Sequence, residues 1–139
     1  MWLLLACTLH VGTPPVTTWT LENLLVAVPE PKLEDDLRAA LGRALGGMNA
    51  QGGAQPRAFV VQVEQAEWRP LMRGSGMGDY EAVLRVLVEA EGTIREFSAS
   101  SMVWGPHSAA EQKKAREATF AQLSDRVAAQ VALWLSGLP

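Results

Sequence analysis

The chain has 139 residues, enough for one domain with a single core, and its 48% hydrophobic against 19% charged residues supply the apolar surface that excludes intrinsic disorder. Twelve Lys and Arg against fifteen Asp and Glu leave a formal net charge of -3, so no overall positive field draws a nucleic-acid backbone. The single cysteine, Cys7, excludes an intramolecular disulfide, and no apolar run nears the ~20 residues of a membrane-spanning helix.

Leu4-Leu5-Ala6-Cys7 reads like the lipobox at which bacterial lipoproteins are cleaved and acylated, which makes Cys7 a candidate lipid anchor. Only Met1 to Ala6 precede it and none is charged, short of the roughly 7–15-residue apolar region and basic start of a secretory signal. Either translation begins upstream and the signal is truncated, or the cysteine sits in a short N-terminal apolar strand. Thr8 to Thr18 holds Gly12, Pro14 and Pro15 with four Thr and no Asp, Glu, Lys or Arg, a composition that resists helix and suits an extended tether. The expected organisation is therefore a signal remnant and tether over residues 1–18 and a single α+β domain over 19–139.

Leu24-Leu25-Val26-Ala27-Val28, stopped by Pro29 and Pro31, fits a strand buried on both faces. Leu33, Leu37, Leu41 and Leu45 then draw one stripe along a helix, with Glu34, Asp35 and Asp36 in its first turn and Gly46-Gly47 expected to close it. Asn49 to Pro56 reads as a mobile loop. Phe59, Val61 and Val63 alternate with Val60, Gln62 and Glu64 as a half-buried strand running towards Trp68. Arg69 to Gly78 is too rich in Gly to be regular and long for a hairpin connection.

Tyr80, Ala82, Leu84, Val86 and Val88 form the next alternating strand. Glu91-Gly92 turns it into a hairpin with a fourth strand over Thr93 to Trp104. Ser108-Ala109-Ala110-Glu111 is a capping box, and Thr119, Leu123, Val127, Val131 and Leu135 carry one apolar stripe to Gly137, giving a final helix of close to thirty residues. The order is β-α-β-β-β-α, with both helices expected on one face of a four-stranded sheet.

Chemistry is sparse. His10 and His107 are far apart and Cys7 is the only thiol, so the parts of a metal site or a Ser-His-Asp triad are not together, and no cofactor is implied. Gly74-Ser75-Gly76-Met77-Gly78 lacks the Lys-Ser/Thr of a phosphate loop and leads into a strand. Glu30, Glu34, Asp35 and Asp36 are explained by the positive helix end without acid–base catalysis. Lys113, Lys114 and Arg116 oppose the dipole of the last helix at its start, which marks them either as a partner-binding face or as a solvated face beside Glu111 and Glu117. Trp68, Arg69, Met72 and Arg73 bring aromatic, apolar and basic groups into the long loop, a mixture suited to an amphiphile or a protein surface.

The anchor-like Cys7, Leu25-Val26-Ala27-Val28-Pro29, the Leu-x-x-x-Leu helix with Leu37-Arg38-Ala39-Ala40-Leu41, three alternating strands and the closing Ala128-Ala129-Gln130-Val131-Ala132-Leu133-Trp134-Leu135 resemble the lipopolysaccharide-assembly lipoproteins over nearly the whole chain. The resemblance implies an outer-membrane lipoprotein facing the periplasm, without enzymatic activity. It would plug and support an outer-membrane β-barrel partner and assist delivery of lipopolysaccharide to the surface, with Cys7 as the membrane anchor. An auxiliary lipoprotein of a lipid-transporting ABC system and, in a different class, a small periplasmic hydrolase are the alternatives.

Overall fold

The structure is a computed structural model, and it describes residues 18–49, 56–71, 79–105 and 108–139. Its elements are β1 (Thr18–Val26), α1 (Leu33–Asn49), β2 (Pro56–Leu71), β3 (Asp79–Ala90), β4 (Thr93–Val103) and α2 (Ala109–Ser136). The sheet runs β1-β2-β3-β4, with β1 parallel to β2 and the other two pairings antiparallel. Both helices cover one face, and the order β-α-β-β-β-α is the α+β arrangement expected.

Apolar alternation builds the core between helices and sheet. Phe59, Val61 and Val63 of β2, Ala82, Leu84, Val86 and Val88 of β3, and Phe97 and Ala99 of β4 are buried under Leu37 and Leu41 of α1 and Leu123, Val127 and Val131 of α2. Two bulges reset the alternation. Register shifts between Leu21 and Asn23 on β1 and between Val63 and Gln65 on β2 move the buried face from odd to even residues. Leu24 and Val26 on β1, and Ala66 and Trp68 on β2, therefore face the helices.

Three expectations need correction. β1 begins at Thr18, buries Trp19 against Phe59 (ring centroids 6.4 Å apart), ends at Val26, and leaves Leu25 47% exposed. It is an edge strand with only one face against helices, so it is not buried on both. Second, α1 does not stop at Gly46-Gly47 but continues to Asn49. Each helical Gly costs about 1 kcal/mol, and two contacts offset that cost: Met48 packs on the core, and the Asn49 amide accepts from Trp19 N (3.1 Å) and donates to Trp19 O (3.0 Å). Third, Arg69, Pro70 and Leu71 belong to β2, paired with Glu81, Tyr80 and Asp79, and not to a Gly-rich loop. The stretches read as loops over 50–55 and 72–78 lie outside the described residues.

The Asn49 contact covers part of one sheet edge with a side chain, and α2 does the same at the other. Arg126 Nη1 donates to Ser100 O (2.8 Å) and Gln130 Nε2 to Ser98 O (3.3 Å), closing the middle of the β4 edge against pairing with another chain. The 28-residue α2 starts at the N-cap Ser108, whose hydroxyl accepts from Glu111 N at 3.1 Å as the capping box requires, and spans about 42 Å. Leu123, at its middle, is fully buried. Leu123→Asp is expected to unfold the domain, because a buried unpaired carboxylate costs several kcal/mol against a total stability of about 5–15. Loss of the cooperative thermal transition by circular dichroism checks this, and an unchanged melting curve would show that the stripe is wrongly placed.

Candidate functional site

At the end of the sheet where β2 and β3 outrun β1, the connection from β1 to α1 crosses under the start of α2. Pro29 and Pro31 fix the backbone on either side of Glu30, whose N–H closes a tight turn onto Val28 O (2.9 Å), and Lys32 turns the chain into the helix with a φ of 66°, in the left-handed region. Between the prolines, the side chain of Glu30 is 4% exposed and is held by Arg116 of α2: Nε reaches Oε1 at 2.7 Å, and Nη2 bonds the same oxygen. Lys32 Nζ adds a second link, 3.4 Å from Glu117. Glu30 is thus no first-turn carboxylate; it precedes the helix and works as an internal ion-pair partner.

The β2 bulge turns Trp68 towards this junction. Its ring stacks on Tyr80 with centroids 4.8 Å apart and planes 19° from parallel, and the Tyr80 hydroxyl accepts from Gln112 of α2. Together these groups border an open groove of about 330 Å³, with Pro29, Pro31 and Trp68 as apolar walls and Gln112, Lys113 and Arg116 along the helix side. Lys113 is exposed and has no carboxylate partner among the described residues. In a chain of net charge -3, the groove lining holds two cations, of which Arg116 is neutralised by Glu30 beneath it and Lys113 is left uncompensated. Trp68 Nε1 is buried without a hydrogen-bond acceptor among the described residues. The arrangement suits an anionic group attached to an apolar body; it offers no nucleophile with a base beside it.

The structure brings together Trp68, Lys113 and Arg116 from two segments that are separate in the sequence. It does not bring in Arg69. Strand alternation puts Arg69 on the opposite face from Trp68, where it pairs with Glu67, and hydrogen bonds from Arg69 and then Gln65 hold the Glu67 carboxyl below its ordinary value. Lys114 is exposed on α2 outside the groove lining, and Cys7, Met72 and Arg73 lie outside the described residues. Asp36, one of the first-turn carboxylates, is raised above its usual value mainly by burial, with Lys32 acting against the shift. Tyr80 and Gln112 escaped sequence reasoning as site residues and Glu30 was read there only as a helix-end carboxylate; the Pro29-Glu30-Pro31 triplet was the one signal that could have pointed to a built crossing.

No family model and no curated protein matches the chain. Solved structures do. A minor lipoprotein from Acinetobacter baumannii superposes with a TM-score of 0.54 at 18% identity, over 88% of this chain and 93% of that one. A protein from Xanthomonas campestris of family DUF330 gives 0.57 at 14% identity, covering 88% and 86%. An uncharacterised lipoprotein B from Nitrosomonas europaea gives 0.51 at 15% identity, covering 88% and 83%. At these identities the likeness is one of fold, and the fold is one that bacterial lipoproteins adopt.

The Glu30–Arg116 pair makes the groove floor a stability element, whereas Lys113 carries no such duty. Arg116→Ala is expected to lower unfolding free energy by about 1–3 kcal/mol, since it leaves a buried carboxylate unpaired, and Lys113→Ala to change it by less than about 0.5. Adding Glu30→Gln to Arg116→Ala should return part of the loss. Urea unfolding of the four proteins checks all three statements.

Proposed function

We propose that this protein is a lipid-anchored lipoprotein of the cell envelope that works by binding, with Cys7 as the acylated residue and the Trp68–Lys113 groove as its contact site. The observation that carries the binding role is the convergence of Trp68, Lys113 and Arg116 on a cationic, aromatic-walled groove whose acid is locked in an ion pair. Two further points support the anchor: the Leu4-Leu5-Ala6-Cys7 pattern, and fold neighbours that are themselves named lipoproteins. In the specific form suggested by the sequence resemblance, the partner is an outer-membrane β-barrel of lipopolysaccharide assembly and the lipid is lipopolysaccharide. Anionic phosphates on an apolar body match the groove's combination of cations and flat apolar walls.

The anchor is tested by mass spectrometry of the protein isolated from native membranes. A diacylated Cys7 as the mature N-terminus is expected, and an unmodified segment through residue 7 would overturn the anchor. The site is tested by Lys113→Glu, which should leave the melting temperature nearly unchanged while reducing capture of the barrel partner or of lipopolysaccharide several-fold. Arg69→Ala should leave both intact, because Arg69 faces away from the groove. Co-purification with an ABC transporter in place of a barrel would assign the protein to the auxiliary-lipoprotein class instead.

A further inference from the structure

The far end of α2 meets the free edge of β4 in a different way from its middle. Because Ser98 and Ser100 direct their carbonyls outward to Gln130 and Arg126, the two-residue period of the strand directs the backbone groups of Glu96 and Ile94 outward too. The helix positions that would cap them are Leu133, Trp134 and Gly137: Leu133 and Gly137 have no side-chain donor, and the Trp134 ring is turned onto Phe97 with no hydrogen bond to the strand among the described residues. Leu133 is 77% exposed, and among the described residues no hydrogen bond reaches the backbone of Ile94 or Glu96 from beyond the sheet.

Beside this open stretch lies a second groove, of about 420 Å³, walled by Phe97, Leu133, Trp134 and Leu138. Phe97 and Trp134 meet at 5.6 Å between ring centroids. Arg95 stands at its rim, 5.4 Å over the Phe97 ring, with no carboxylate partner among the described residues. An open strand edge, an apolar slot on the core side and an unpaired cation are the three elements by which an added strand is held and selected. We infer that residues Ile94 to Glu96 and this groove receive an extended segment of a partner protein, placing an apolar side chain in the slot and an acidic one, two positions away on the same face, against Arg95. Charge complementarity favours such a segment over a second copy of this chain. The register that matches the two open positions of one copy with those of another sets Arg95 opposite Arg95, and like charges directly opposite are destabilising.

Pro139 follows Leu138 at the groove, so a segment fused there through about ten Gly/Ser residues reaches it at an effective concentration in the millimolar range. The full chain is fused to Thr-Asp-Thr-Leu-Thr, and amide hydrogen exchange at Glu96 is compared with that of the unfused chain. The expected result is slowing of about tenfold, as when effective concentration exceeds the dissociation constant by that factor. The protection should vanish with Thr-Lys-Thr-Leu-Thr and with Leu133→Asp, a substitution at an exposed position that spares the core. Unchanged exchange with the acidic segment, or equal protection by the lysine segment, would overturn the inference. Protection in the unfused chain that grows with protein concentration, together with a sedimenting dimer, would overturn it in favour of self-association.

Discussion

The phase of side-chain alternation along β2 is the constraint on which the groove depends. With only one face of the sheet covered, a strand must present its apolar residues to the helices at every second position. The bulge after Val63 shifts that set by one residue. Without the shift, Glu67 and Arg69 would point under the helices and Trp68 would face solvent. With it, Trp68 continues the buried row opposite Ala82 and stacks on Tyr80, so that the end of the sheet acquires an aromatic floor.

The same one-sided architecture leaves two edges to manage, and the molecule does so with helix side chains. Asn49 satisfies both backbone groups of Trp19, imitating a neighbouring strand, and can do so only because α1 runs through Gly46 and Gly47 to place it there. Arg126 and Gln130 close the centre of β4. Charged and amide side chains on an edge are a common guard against pairing with other chains. The guard stops at Gln130, more than one helical turn short of the end of α2 at Ser136, where apolar residues replace the donors.

Element order and the apolar stripes were legible in the sequence because they rest on period and local chemistry: Leu33 to Leu45, the alternation of β3, the Ser108–Glu111 box and the stripe from Thr119 to Leu135 all stand where the pattern put them. The edge position of β1 was not legible, since an apolar run reads alike whether one or two of its faces are covered, and Leu25 is exposed. Neither bulge leaves a sequence mark, so Trp68 and Arg69 read as neighbours in a loop when they lie on opposite faces of a strand. Of the candidate binding residues, Lys113 and Arg116 were singled out through their conflict with the helix dipole, a signal independent of tertiary structure. Their meeting with Trp68 depends on the crossing of Pro29 to Lys32, which only the fold reveals.

One rigid element joins the two grooves. The helix α2 supplies Gln112, Lys113 and Arg116 at its start and Leu133 and Trp134 at its end, and about 42 Å of helix lies between its termini. A ligand at the first groove therefore leaves the second sterically free, and the two can be occupied together. Coupling between them requires α2 to move as a body, because Leu123, Ser124 and Val127 at its middle are buried against the sheet and α1 and cannot shift singly without opening the core. The Glu30–Arg116 pair opposes such a movement by tying the helix start to the β1–α1 crossing, where a broken pair would leave a buried carboxylate alone. The two grooves accordingly lie apart, one toward each end of α2, so that filling one would leave the other open.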